Sequence, residues 1–272
     1  MSLLDAVLLG IIQGLTEFLP ISSSGHLVLG QELLHIAHRS NIAFEVFVHF
    51  GTFLSVVFMF WKDIKLIFFS ICELCKNPAK LKLLFKTNEH FKIAIFIIIG
   101  SIPAAIVGIK FEKEIGLLFN DPKFVSVMLL ITGLILFLTK FSNPKEGSSV
   151  SFASAIIIGI AQAVAIIPGI SRSGITISSA LFAGISRENA AKFSFLMALP
   201  VILGATILKA NEVLQSSISN GELLVYFVGT VVAAISGYAS IRVVLGLLKK
   251  KRFSWFSYYC FIVGILGILF IG

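Results

Sequence analysis

Charged residues are scarce in this chain. Only 13% of its 272 residues are Asp, Glu, Lys or Arg, and 57% are hydrophobic, whereas a soluble domain is typically about 25% charged. This composition excludes an ordinary soluble domain and predicts a multi-pass membrane protein. Cysteine is rare as well, and the three cysteines are too few for a disulfide framework.

The amino terminus lacks the features of a cleaved signal peptide. It has no cationic segment and no small-x-small cleavage site, and it carries Asp5 and Glu17. We therefore expect it to remain in the mature protein. The net charge of +8 comes from basic residues clustered in short loops, a pattern typical of cytoplasmic loops in membrane proteins. No nucleic-acid partner is expected.

Eight apolar segments organise the chain. Six are long enough to cross a bilayer as single helices, at about 20 residues each: 43–61, 91–110, 124–140, 191–209, 223–246 and 255–271. The other two, 3–36 and 152–186, are interrupted by LPISSSGH and IPGISRSGIT. Because proline ends a helix and serine favours the start of the next, we predict that each is a re-entrant hairpin of two helices.

The two interrupted segments are copies of each other. A shift of 149 aligns GIIQGLTEFLPISSSG (10–25) with GIAQAVAIIPGISRSG (159–174), and a shift of 129 aligns GSIPAAIVG (100–108) with GTVVAAISG (229–237). We therefore predict a single integral membrane domain built from two repeats, about 1–148 and about 149–272.

The charges of the connecting loops predict how the repeats are oriented. The loops 62–92 and 242–252 are basic and are assigned to the cytoplasm, whereas 110–123 and 209–222 have no cationic excess and are assigned to the outside. Corresponding segments then cross in opposite directions. The predicted fold is an all-α polytopic membrane protein with two inverted-topology repeats, six full transmembrane helices and two re-entrant hairpins.

Polar residues cluster at the two interruptions. Gln13 and Glu17 are four residues apart and share one helical face. The remaining candidates, from both hairpins, are Ser22, Ser23, Ser24, His26, Ser171, Arg172, Ser173 and Gly174. The start of a helix offers free backbone amides to an anion, so the two hairpins together predict an anion site at membrane depth.

An arginine within a membrane needs a partner. The guanidinium of Arg172 suits a phosphate group, which it can bind through two parallel hydrogen bonds. A carboxylate such as Glu17 beside a phosphate implies a divalent cation or acid–base catalysis. The alternative is that Glu17 and Arg172 form a buried ion pair that holds the two halves together. Glu45 and His49, also four residues apart, are interpreted as a supporting hydrogen-bonded pair.

The motifs QGLTEFLPISSSGHL and PGISRSGIT resemble the two signatures of the undecaprenyl-diphosphate phosphatase family, the bacitracin-resistance enzymes of bacterial envelopes. The resemblance extends over nearly the whole chain, including HFGTFLSVVFMFW (49–61) and KFSFLMALPVILGA (192–205). One position differs from many members, because Gln13 stands where they have Glu.

The resemblance implies an enzyme that removes the terminal phosphate of undecaprenyl diphosphate with the help of Mg²⁺ or Ca²⁺. It implies a multi-pass protein of the bacterial cytoplasmic membrane with an active site that opens to the outer side. The family residues correspond to Gln13, Glu17, Ser22, Ser23, His26, Ser171, Arg172, Ser173 and Thr176. We hypothesise that Arg172 holds the diphosphate and that Glu17, with Gln13, organises the cation. The nucleophile stays open between Ser23, His26 and a metal-activated water.

Two other classes of protein share features with this chain. Inverted repeats with broken helices also occur in transporters, so a transporter or flippase of a phosphorylated prenyl lipid is the alternative function. The acid-phosphatase-like lipid phosphatases share a Ser-Gly-His fragment, but their later Ser-Arg-x5-His-x3-Asp pattern is missing here. The oligomeric state stays open between a monomer and a homodimer.

Overall fold

A computed structural model describes residues 1–33, 42–215 and 220–271, and within these ranges the chain folds into thirteen α-helices and no β-strand. The helices are α1 (Leu3–Phe18), α2 (Ser23–Leu33), α3 (Ile42–Met59), α4 (Trp61–Lys76), α5 (Leu81–Thr87), α6 (Glu89–Lys110), α7 (Glu112–Leu118), α8 (Pro122–Leu138), α9 (Phe152–Val164), α10 (Arg172–Phe182), α11 (Arg187–Gln215), α12 (Asn220–Lys249) and α13 (Phe256–Phe270).

Both interrupted segments are split into two helices. The first break separates α1 from α2 at residues 19–22, and the second separates α9 from α10 at residues 165–171. Each break contains a proline, Pro20 or Pro168, which cannot donate a hydrogen bond to the preceding turn. The predicted end of the first hairpin, residues 34–36, lies outside the described residues, as do residues 216–219 of the predicted 209–222 connection.

Five helices among the described residues are long and apolar enough to cross a membrane: α6, α8, α11, α12 and α13. A sixth span exists only if α3 and α4 are counted as one, and the chain bends by 84° between them. The predicted crossing 43–61 corresponds to α3, which ends at Met59 just before this bend, so five of the six predicted crossings are confirmed and the sixth depends on how the bent pair is counted. The protein is a multi-pass membrane protein with five or six such spans.

The segment 62–92, expected as a loop, is largely helical. It contains α4, α5 and the first turn of α6. The helix α4 is amphipathic: Lys62 and Lys65 share it with Phe68 and Phe69, whose rings are more than half exposed. A helix of this composition bent away from a membrane span is typical of one that lies along the membrane surface.

Glycine lets the helices of the two halves approach closely. The helix α1 packs against α12, and α9 packs against α6. A Cβ on Gly10 would lie 2.7 Å from the carbonyl oxygen of Gly229, and one on Gly159 would lie 2.6 Å from that of Gly100. Neither site has room for a side chain.

The main apolar core surrounds both breaks. Phe18 and Ile21 bury their side chains at the first break, and Ile177 buries its own just after the second. Phe195 of α11 packs edge-to-face on Phe18, with ring centroids 5.7 Å apart. The core therefore holds the two interruptions side by side, which brings their polar residues into one region.

Candidate active site

The two breaks end in the same hydrogen-bonded cap. At the first, Ser22 Oγ accepts the backbone N–H of Gly25 at 3.2 Å, and at the second, Ser171 Oγ accepts that of Gly174 at 3.1 Å. These serines fix the start of α2 and α10, as side-chain caps do in general. Ser22 has a φ of +69°, a left-handed conformation that is uncommon outside glycine. The first residue of the following helix is Ser23 in α2 and Arg172 in α10.

Glu17 is the centre of the polar cluster. Its Oε1 pairs with Arg172 Nη2 at 2.5 Å. Its Oε2 accepts hydrogen bonds from Ser23 Oγ at 2.8 Å and from Gln13 Nε2 at 3.1 Å. The structure thus brings together Glu17 and Arg172 from the two repeats, and it also contains the buried ion pair that was the alternative interpretation.

The ion pair leaves hydrogen-bonding capacity unused. The side chains of Glu17 and Arg172 are 9% and 14% exposed. Arg172 Nη1 and Gln13 Oε1 are buried and have no hydrogen-bond partner among the described residues. Since an unsatisfied buried polar group costs about 1–3 kcal/mol, one donor and one acceptor beside the carboxylate are suited to receive a polar ligand.

His26 is fixed by contacts on both ring nitrogens. Its Nδ1 lies 2.8 Å from the carbonyl oxygen of Ser22, and its Nε2 lies 2.9 Å from the hydroxyl of Tyr259. Because a carbonyl only accepts, Nδ1 carries the proton, and in the neutral ring Nε2 accepts from the tyrosine. The two rings stack at 5.5 Å with an angle of 12°. No hydrogen bond joins His26 to Ser23 in this arrangement.

Two residues of the site had no signal in the sequence. Tyr259 comes from α13, 233 positions after His26. Thr132 of α8 donates its hydroxyl to the carbonyl of Gly169 at 2.9 Å and accepts the N–H of Ser171 at 3.1 Å. Thr132 thereby ties the second turn to α8. Both contacts depend on helix packing, and no local pattern in the sequence indicates them.

The other predicted hydroxyls contact protein groups. Ser24 Oγ lies 3.2 Å from Ser22 Oγ, and Ser173 Oγ donates to the carbonyl of Leu19 at 3.4 Å. Thr176 is fully buried, and its hydroxyl bonds to the Arg172 carbonyl at 2.7 Å and to Ser194 Oγ at 2.6 Å. These contacts hold the two turns in place around Glu17 and Arg172.

His49 lies on α3, which packs against α1. Its Nδ1 bonds at 2.8 Å to the backbone carbonyl of Glu45, so the hydrogen bond expected between these residues is made to the main chain. The Glu45 carboxylate instead lies 3.9 Å from Lys209 Nζ.

Residues 6–266 of the chain match the family model described as bacitracin resistance protein BacA. The chain belongs to this family. It is 42% identical over 265 residues to the undecaprenyl-diphosphatase of Salinibacter ruber, and the alignment covers 97% of each chain. It is 44% identical over 274 residues to the undecaprenyl-diphosphatase of Halothermothrix orenii, which covers 100% of this chain and 99% of that one. The cluster around Glu17 therefore lies in a BacA-family protein whose relatives match it from end to end.

Proposed function

We propose that the protein is an undecaprenyl-diphosphatase. It hydrolyses the terminal phosphate of undecaprenyl diphosphate and releases undecaprenyl phosphate and inorganic phosphate. This reaction recycles the lipid carrier for cell-wall synthesis, and the family is the one associated with bacitracin resistance. At the level of the site, the proposal rests on one observation: Glu17 hydrogen-bonds Ser23 and pairs with Arg172 in a single buried cluster.

Arg172 is the proposed phosphate-binding residue. One nitrogen of its guanidinium is held by Glu17, while Nη1 is buried without a partner in the described part of the chain. A phosphate oxygen at Nη1 would satisfy this donor, and charge-assisted hydrogen bonds of this kind are short and strong. The positive end of α10, which begins at Arg172, would add to the attraction.

Ser23 is the proposed nucleophile. Its hydroxyl donates to Glu17 Oε2 at 2.8 Å, the geometry in which a carboxylate can take the proton as the oxygen attacks. The Ser23 oxygen would bond to the terminal phosphorus, and the bond from that phosphorus to the bridging oxygen would break, releasing undecaprenyl phosphate. Water would then cleave the phosphoserine, releasing inorganic phosphate and returning the serine.

His26 is the proposed acid–base partner of the leaving group. Both of its ring nitrogens are engaged, by the Ser22 carbonyl and the Tyr259 hydroxyl, which argues against direct attack by the imidazole. The Tyr259 hydroxyl would orient the ring, and His26 would deliver a proton to the bridging oxygen from Nε2 in its imidazolium form, because the neutral ring carries its proton on Nδ1.

A divalent cation fits the donor atoms around Glu17. The carboxylate and the unpartnered Gln13 Oε1 are oxygen ligands of the kind that Mg²⁺ and Ca²⁺ prefer. The described residues contain no group of three or more His, Cys, Asp or Glu that could hold a metal ion. The cation would therefore depend on Glu17, Gln13 and the phosphate oxygens of the substrate, and it would neutralise charge on the phosphate.

We also propose that the two halves form an inverted-topology repeat. Equivalent glycines make the contacts of Gly10 with Gly229 and of Gly159 with Gly100, related by the shifts of 149 and 129 residues in the sequence. The paired serine caps follow the same shift. With the basic loops in the cytoplasm, the active site would open to the outer side of the bacterial cytoplasmic membrane, and the prenyl tail would stay in the lipid.

The test is phosphate release by the purified protein in detergent, where transport across a bilayer cannot occur. Wild-type protein should release phosphate from undecaprenyl diphosphate, and a chelator titration should abolish release until Mg²⁺ or Ca²⁺ is restored. Glu17→Gln should lower the rate by about 10³-fold, because it removes the proton acceptor and a cation ligand. Absence of release together with lipid movement between leaflets would instead support the flippase.

A further inference from the structure

A cleft lies at the basic end of the molecule and contains none of the residues placed in the active site. Its apolar wall is formed by Phe60, Leu245 and Leu248, and its polar rim by Arg187, Glu188, Lys192 and Lys249. The cleft joins the bend between α3 and α4 to the start of α11 and the end of α12. Its volume of about 90 Å³ has room for a phosphate group but not for a whole lipid.

The rim carries unneutralised positive charge. Lys192 is paired with Asp63 at 2.8 Å. Neither Arg187 nor Lys249 forms an ion pair within the described ranges. Glu188 is the one acid on the rim, and the basic run Lys250, Lys251 and Arg252 follows directly after the cleft. An anion would therefore be attracted to this cleft.

Both tryptophans of the protein place the cleft at the membrane surface. Trp61 follows Phe60 directly, and Trp255 lies six residues after Lys249. Their side chains are 52% and 54% exposed, and tryptophan concentrates where the bilayer meets water. Arg252 lies over the Trp255 ring at 4.5 Å and Lys65 over the Trp61 ring at 5.8 Å, which places basic groups at the level of lipid phosphates.

The start of α11 adds to the positive electrostatic potential at the rim. This helix begins at Arg187 and runs to Gln215, so the positive end of its dipole is directed at the rim. Of the three wall residues, Leu245 is partly exposed, whereas Phe60 and Leu248 are buried in the core behind it. An anion bound here would lie beside Arg187 and Lys249, with an attached hydrocarbon chain beside the partly exposed Leu245.

We infer that this cleft binds the phosphate of an anionic membrane lipid headgroup, at a site separate from the one that performs hydrolysis. A basic recess between helices on the cytoplasmic side has the character of a lipid headgroup site. The inference does not depend on the proposed function, because the cleft shares no residue with the active site and its occupancy is measured without turnover.

The experiment is native mass spectrometry of the full-length protein in detergent, titrated with phosphatidylglycerol. The variant Arg187→Gln/Lys249→Gln removes the two unpaired cations, and Lys110→Gln/Lys113→Gln removes the same charge from exposed positions elsewhere. The wild type and the control should each retain one tightly bound lipid that the cleft variant loses, with affinity falling at least about tenfold for two lost charges. Phosphate release should stay unchanged in the cleft variant.

Two other compounds and a charge-conserving variant complete the experiment. Diacylglycerol of the same chain length should not occupy the site, because it has no phosphate. Inorganic phosphate at the same concentration should not displace phosphatidylglycerol; displacement would identify a soluble phosphate site and overturn the lipid assignment. If Arg187→Gln/Lys249→Gln does not fold, Arg187→Lys/Lys249→Arg, which keeps both charges, should retain the lipid, and loss of the lipid from it would overturn the inference. If the Gln variant folds, retention of the lipid equal to that of the wild type would overturn the inference.

Discussion

The turn between α1 and α2 and the turn between α9 and α10 share a serine cap but differ in backbone conformation and in chemistry, since φ is +69° at Ser22 and −75° at Ser171. Ser22 and Ser171 cap the following helix through the same contact, at 3.2 and 3.1 Å. At the next position the first turn has Ser23 and the second has Arg172. The carboxylate of Glu17 lies in the first copy alone, because Ile166 occupies the equivalent position in the second.

This difference shows how a duplicated element can divide one function. The serines common to both turns build the cap, whereas the prolines that end the preceding helices, Pro20 and Pro168, are not at equivalent positions. The residues that differ are those proposed as nucleophile and proton acceptor in the first turn, Ser23 and Glu17, and as phosphate-binding cation in the second, Arg172. Because Glu17 contacts both Ser23 and Arg172, neither turn holds the proposed chemistry without its partner.

The largest effect should come from removing the Ser23 hydroxyl, which has no counterpart in the second turn. Ser23→Ala should lower the rate of phosphate release by at least about 10³-fold, because the attacking oxygen is lost, while the Glu17–Arg172 pair remains. The control is Ser101→Ala in α6, whose hydroxyl bonds only to its own helix at Ile97; it should stay within about twofold of wild type. A rapid-quench search for phosphoserine should find an adduct in wild type. Full activity of Ser23→Ala would exclude the serine and favour water as the nucleophile.

Arg172→Lys should be next in size. Lysine keeps the charge that pairs with Glu17 but lacks the planar fork, so release should fall by about 10²-fold. The pairing with Glu17 should preserve folding, and the midpoint of thermal unfolding in detergent should change little. Equal loss of activity and of stability would indicate that Arg172 only holds the halves together.

The two glutamines sharpen the comparison further. Gln13 hydrogen-bonds Glu17, whereas the equivalent Gln162 is buried with no partner for either amide atom among the described residues. Gln13→Met should lower phosphate release about tenfold and raise the cation concentration needed. Gln162→Met should keep activity and be neutral or stabilising, by up to about 1 kcal/mol, because it removes an unsatisfied group. Comparable losses in both variants would contradict the division of roles.

Tyr259→Phe should have a smaller effect. It removes the hydroxyl from His26 Nε2 and keeps the stacked ring, so release should fall about fivefold, the value of one hydrogen bond of about 1 kcal/mol. Tyr258→Phe is the matched control, because that hydroxyl bonds to Lys140 and not to the site. The pH dependence of release should shift in Tyr259→Phe alone; an unchanged profile would show that the tyrosine does not act through His26.

The smallest effect on activity should come from the glycine contacts. Gly10→Ala and Gly159→Ala should each destabilise the protein by about 1–3 kcal/mol, since both would place a methyl group against a carbonyl oxygen of the other half. Gly204→Ala, which has open space around it, should not. The measurement is thermal unfolding in detergent, and a large difference between Gly10→Ala and Gly159→Ala would argue against equivalent contacts in the two halves.

Several features followed from local rules. Pro20 and Pro168 predicted the two breaks, and the apolar runs predicted the helices α6, α8, α11, α12 and α13, because helix ends and membrane spans depend on neighbouring residues. The helix α4 and the bend at Phe60 that precedes it were not predicted, because the lysines of 62–92 indicated a cytoplasmic loop and the apolar run 43–61 ends where the bend begins. The motif pointed to Ser23, Glu17 and Arg172, and an ion pair between Glu17 and Arg172 was one of two interpretations, but no local pattern indicated that Ser23 also donates to Glu17.

The sequence by itself determined that the chain is helical and membrane-embedded and that it carries a carboxylate and an arginine at two helix breaks. Only the tertiary structure decided that Glu17 meets Arg172 across 155 positions and that Tyr259 holds His26. The reason is physical: hydrophobic periodicity and proline act over a few residues, whereas a contact between distant side chains depends on how closely whole helices pack, which here is allowed by glycine at the crossings.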